Sequence, residues 1–206
     1  MRTSSRNVVV VSFDEMELLD VAAVVSVLGA AGKQWNWRPF RIVTAAASEG
    51  LVETRSQVRL EAAAPLASAP APEIVVVPGG YGARRALSGG PALDFLASSG
   101  RAANHVLAIG NGVLLAARAG LAAGRDVATG AEVAAELAAL DASARADTDR
   151  AWLESGPLFT AATSHAAIDA TLALVSRLLG EKQARVTASS LGIPWTLNDV
   201  QRITFV

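Results

Sequence analysis

Asn104-His105-Val106-Leu107-Ala108-Ile109-Gly110-Asn111-Gly112-Val113-Leu114-Leu115-Ala116-Ala117 is the stretch that decides the fold. Val106 to Ile109 are consecutive apolar residues, the pattern of a strand buried on both faces. Gly110, Asn111 and Gly112 follow, and then a helix-forming run almost without polar residues. A strand that turns so quickly into a buried helix makes a sharp elbow, and glycine supplies the backbone freedom for it. The elbow places one residue at the carboxyl end of the sheet. It also aims the N–H groups of the helix start at whatever sits there, which favours anions and developing negative charge. In an open α/β sheet that edge is where ligands bind.

The chain around it alternates strand and helix. Asn7 to Phe13 reads as a buried parallel strand, Asp14 to Glu17 as a polar connection, and Leu18 to Ala31 as a well-covered helix ending near Gly32. Asp20 falls in the first turn of that helix, either as a charge favoured by the helix dipole or as a pocket carboxylate. Arg38 to Thr44 is a second strand, Leu51 to Leu60 a short hairpin, and Glu61 to Pro72 a connector rich in Ala, Pro and Ser. Glu73 to Val77 is a buried strand ending in Pro78-Gly79-Gly80-Tyr81-Gly82. This second glycine turn belongs at the same edge as the elbow, where its N–H groups are suited to an oxyanion. No Gly-Lys-Ser/Thr follows, so it is not a Walker-type phosphate loop.

Pro91 to Ala102 is a helix with Pro at its first position. A helix over 111–119, a strand over 125–129 and a helix over 132–140 follow the elbow strand. Arg145 to Glu154 and Leu158 to Ala161 read as short strands. Ser164 is placed to cap a long helix through Leu179; a shorter helix covers 181–189, and 202–206 is a final strand. The expected fold is α/β: a doubly wound, mainly parallel sheet with helices on both faces, in a single domain over 1–206.

Composition narrows the function. The 206 residues carry a net charge of -1 and no clustered Lys and Arg, which argues against nucleic acid as a partner. No apolar run reaches the ~18 residues of a membrane span, and no signal-peptide h-region precedes the first strand. A cytoplasmic location is the expectation. The chain has no cysteine, which removes disulfides, thiolate nucleophiles and thiolate metal ligands together. With only His105 and His165 available, a His-rich metal site is not expected, nor is an organic cofactor.

The order of strand, helix-start acid, Val-Val-Pro-Gly-Gly, elbow, Ala-Gly-Leu-x-x-Gly-Arg and Phe-Thr-x-x-x-x-x-Ala-x-Ile-Asp resembles the ThiJ/PfpI superfamily, whose fold is flavodoxin-like and shared with the class I glutamine amidotransferases. Its isocyanide hydratase-like branch, also used as the ligand domain of some AraC-type regulators, matches best. The resemblance runs from Asn7 to about Ala188. It implies a nucleophilic cysteine at the elbow, and that position is Gly110 here, with Asn111 as its neighbour. The family's Thr-Thr-His-Trp segment is Ala128-Thr129-Gly130-Ala131. The acid partner of isocyanide hydratases falls on Asp20, and the glutamate of the deglycase-like branch falls near Glu17.

Glycine cannot attack a substrate, so covalent catalysis at Gly110 is excluded, and the missing side chain leaves space for a larger ligand. Asp20 is a candidate general acid or base, its pKa raised by burial beside Leu19 and Val21. Asn111 is either an oxyanion donor or a helix cap. Glu17 is the second candidate catalytic carboxylate. Gly79, Gly80, Tyr81, Gly110, Gly112 and His165 are candidate substrate-binding positions. His165 reads better as a solvated or structurally bonded histidine, and Ser164-His165-Asp169 carries little weight as a triad, because adjacent residues at a helix start point in different directions. Trp35, Trp37, Trp152 and Trp195 read as core or interface residues.

These residues lead to a cysteine-independent enzyme for a small organic molecule. Its step would be a hydration, dehydration, isomerisation, ring closure or ring opening with Asp20 moving protons. A non-catalytic small-molecule-binding protein is the alternative, and isocyanide hydration by directly activated water a third. The resemblance also implies a homodimer.

Overall fold

The computed structural model describes residues 5–33 and 36–196. Its central sheet has seven strands in the order β10-β11-β7-β6-β1-β2-β5. These are β1 (Arg6–Val11), β2 (Phe40–Ala46), β5 (Ala64–Pro65), β6 (Ile74–Val77), β7 (His105–Ile109), β10 (Trp152–Ser155) and β11 (Leu158–Ala161). Every pairing in it is parallel except β10 with β11. Two small ribbons flank it: an antiparallel hairpin of β3 (Gly50–Glu53) and β4 (Arg59–Ala62), and a parallel pair of β8 (Asp126–Ala128) and β9 (Arg145–Asp147).

The apolar runs explain the layering, because side chains alternate between the faces of a strand. Val8, Val10, Ile74, Val76, Leu107 and Ile109 enter one core; Val9, Val11, Val75, Val77, Val106 and Ala108 enter the other. The first core is closed by α1 (Leu18–Ala30), α6 (Ser164–Leu179) and α7 (Glu181–Ser190). The second is closed mainly by α3 (Pro91–Phe95), α4 (Gly112–Arg118) and α5 (Ala131–Leu140), with α2 (Tyr81–Ala86) contributing Ala83. Burying each Val or Leu is worth roughly 1.5–3 kcal/mol, and the sheet spreads this over both faces. No described helix is long and apolar enough to cross a membrane.

Several boundaries differ from the sequence reading. The second strand begins at Phe40, where pairing with Arg6 of β1 starts. The connector over 61–72 contains β5, a two-residue edge strand in which Pro65 costs no interior ladder bond. Helix α6 is capped by Thr163, not Ser164: the Thr163 Oγ1 accepts from the Ala166 N–H at 3.2 Å, and Ser164 is already helical. Trp195 is buried and Trp152 packs against the core. The expected strand over 202–206 and Trp35 lie outside the described residues.

Candidate functional site

Two strand ends build the site. At the end of β7, Gly110 takes a left-handed conformation with φ 52°, and a Cβ built there would meet nothing within 4 Å. At the end of β6, Gly80 has φ 117°, and a Cβ there would stand 2.3 Å from the Glu15 carbonyl oxygen. The glycine turn is laced to the loop before α1: the Glu17 N–H donates to the Gly79 carbonyl at 2.8 Å, and Met16 pairs with Gly80 in an antiparallel bridge.

Asn111 joins the two turns. Its Oδ1 accepts from the Gly80 N–H at 2.7 Å and its Nδ2 donates to the Gly80 carbonyl at 2.9 Å. It makes no side-chain cap bond to α4, so the cap reading is not met. The oxyanion reading is altered too, because the Gly79 and Gly80 N–H groups are directed at Asp20 and Asn111 and not at the cavity.

Asp20 is buried, with 2% relative exposure. Its Oδ2 accepts from the Gly79 N–H at 2.8 Å. Burial pushes its pKa above the ordinary carboxylate value; the neighbouring Glu17 charge adds to this, while the Ser164 hydroxyl and the Gly79 N–H oppose it. Of its two apolar neighbours in the chain, Val21 is buried with it, whereas Leu19 is 55% exposed.

Asp20, Glu17, Gly79, Gly80, Tyr81, Gly110 and Asn111 line one cavity of about 290 Å³ at the carboxyl edge of the sheet. Glu17 is the N-cap of α1, accepting from the Leu19 N–H at 3.4 Å, and lies 3.8 Å from Arg55. Two of the sequence-derived positions fall outside the lining. Gly112 faces inward, and a Cβ there would stand 2.5 Å from the Val77 carbonyl oxygen, so its smallness serves close packing of the two turns. His165 is exposed at the start of α6.

The structure adds Arg55, Arg84, Glu132 and Ser164 to the lining. Arg84 is held by Glu136 through contacts of 2.7 and 3.0 Å. The Arg55 guanidinium lies 4.4 Å from the centre of the Tyr81 ring, a cation–π contact. Arg55 reaches the site because its N–H donates to the Met16 carbonyl at 3.0 Å, which docks the hairpin on the loop before α1. No local pattern marks these residues, since tertiary contact alone assembles them. Among the described residues, no group of three His, Asp or Glu side chains is placed to hold a metal ion.

An open parallel sheet with a crevice beyond its carboxyl ends, where the order passes from β1 to β6, is of the flavodoxin-like class. The chain belongs to the DJ-1/PfpI family, whose model matches residues 6–177. Solved structures share the fold at low identity. A THiJ/PfpI family protein from Pseudomonas syringae superposes with a TM-score of 0.83 at 20% identity, over 96% of this chain and 79% of that one. DJ-1beta of Drosophila melanogaster gives 0.81 at 19%, over 93% and 100%. An AraC family transcriptional regulator from Pseudomonas putida gives 0.76 at 20%, over 90% and 99%. No curated protein sequence matches the chain.

Proposed function

We propose that this protein is a cysteine-independent enzyme of the isocyanide hydratase-like branch, acting on a small organic molecule with Asp20 as general acid or base. One observation carries the reading: Asp20 is buried at the cavity, held by the Gly79 N–H, and its pKa is raised. A carboxyl group so placed holds a proton further toward neutrality and can pass it to a substrate atom in the cavity. Asp20 would protonate or deprotonate the substrate in a hydration, dehydration, isomerisation or cyclisation step. Gly110 leaves room beside it, and Glu17 is the second carboxylate within the cavity. Neither the step nor the site calls for an organic cofactor.

The test is turnover of a small-molecule panel, including isocyanides, by the wild type and Asp20→Asn. Loss of turnover with an unchanged circular dichroism spectrum supports the assignment, and unchanged turnover refutes it. A ligand that binds at this cavity and is recovered chemically unchanged would favour a binding protein, a reading that the missing elbow nucleophile supports. We further propose a cytoplasmic homodimer. Exposed Leu19 and Tyr81, with Leu51 and Val58 of the hairpin region, supply apolar surface for the second copy.

A further inference from the structure

We propose that a cavity at the opposite edge of the sheet binds a phosphoryl dianion between Arg101 and Arg125. The cavity, of about 350 Å³, lies at the amino ends of β7 and β11 and is lined by Gly100, Arg101, Val106, Gly120, Arg125 and Leu158, among others. Both guanidinium groups are fixed by backbone carbonyls. Arg101 donates to the Ala119 carbonyl through Nε at 3.2 Å and Nη2 at 3.0 Å. Arg125 donates to the Leu121 carbonyl through Nε at 3.2 Å and to the Ser155 carbonyl through Nη1 at 3.0 Å.

Each guanidinium lies on a glycine. A Cβ at Gly120 would stand 2.6 Å from Arg101 Nη2, and one at Gly156 would stand 2.6 Å from Arg125 Nη1. Among the described residues neither arginine has a carboxylate partner, in contrast to Arg84 with Glu136. Arg101 Nη1 and Arg125 Nη2 make no hydrogen bond to those residues. Arg101 caps the end of α4 at Ala119 and Arg125 ties Leu121 to Ser155, and these bonds leave one terminal nitrogen of each guanidinium for a ligand. Two guanidinium groups lining one cavity match an anion with several oxygens, which can accept their remaining N–H groups. The lining supplies no catalytic group.

The experiment titrates the protein with inorganic phosphate and with phenyl phosphate, ionic strength being held constant with chloride, and follows thermal stability and calorimetric heat. Saturable stabilisation is expected, weakened at least tenfold in Arg101→Gln and in Arg125→Gln and unchanged in Arg118→Gln, an exposed arginine outside the lining. Tighter binding of phenyl phosphate assigns a phosphate ester, and equal binding the free ion. Since either cavity substitution could loosen its loop, arginine side-chain resonances of the wild type are read as well. Phosphate should shift Arg101 and Arg125 Nε and leave Arg55 and Arg84 in place. No saturable effect, an equal loss in Arg118→Gln, or shifts confined to Arg55 and Arg84 would overturn the proposal.

Discussion

The Asn111 side chain and the Gly80 backbone exchange two hydrogen bonds, so a side-chain amide does across the two turns what a ladder does between strands. The cavity edge is therefore fixed by a side-chain clamp at the position next to Gly110.

Asn111→Ala removes both bonds and leaves the Gly80 N–H without an acceptor. The expected cost is about 1–3 kcal/mol, read as a lower urea midpoint at unchanged slope. A variant as stable as the wild type would show the clamp to be incidental.

Asp20 makes stability depend on pH with a definite sign. Its folded-state pKa lies above the ordinary 3.8, so the folded form holds the proton more tightly than the unfolded chain. The stabilisation from the neutral carboxyl is complete below about 3.8 and is lost as pH rises through the raised value. Relative to Asp20→Asn, the wild type should therefore lose stability as pH rises across that window. Denaturant titrations of both proteins at several pH values give the difference, and a flat difference would contradict the burial argument.

Two glycines at the elbow should respond differently to the same methyl group. Gly110→Ala adds a Cβ into open space but keeps φ near 52°, which costs an L-residue roughly 1–2 kcal/mol. Gly112→Ala drives a Cβ into the Val77 and Pro78 carbonyl oxygens and should cost about 3 kcal/mol or fail to fold. Thermal denaturation of the pair orders them.

Thr163 and Ser164 divide their work. Thr163→Ala removes the α6 cap and should cost about 1 kcal/mol. Ser164→Ala should leave the helix intact but raise the Asp20 pKa further, since the hydroxyl favours the charged form. A carbon-13 titration of the Asp20 carboxyl separates the two effects.

The layering is legible because uninterrupted apolar runs such as Val8 to Val11 and Val106 to Ile109 have the pattern of strands covered on both faces. The Asp20 carboxylate and both glycine turns were legible for a related reason, since they sit at strand ends that the topology brings to one edge. Arg55 and Arg84 were not legible, because no local period says which hairpin or helix will lean over the cavity. Gly112 is next to the elbow in the chain, and the family resemblance puts the helix start carrying His165 near the pocket. Close packing against β6 claims the first, and the turn of the helix carries the second to solvent. The partner of Asn111, Gly80, sits 31 positions away, and no short-range pattern reports that distance.

The sheet ends on one side in β5, two residues closing on a proline, and on the other in the antiparallel β10. On the β5 rim a proline nitrogen has no hydrogen to offer an incoming chain, so that rim is a poor template for continuing the ladder from one molecule to the next. Stacking of copies by strand addition is discouraged there, which keeps a protein so rich in valine strands from growing into a fibre along that direction.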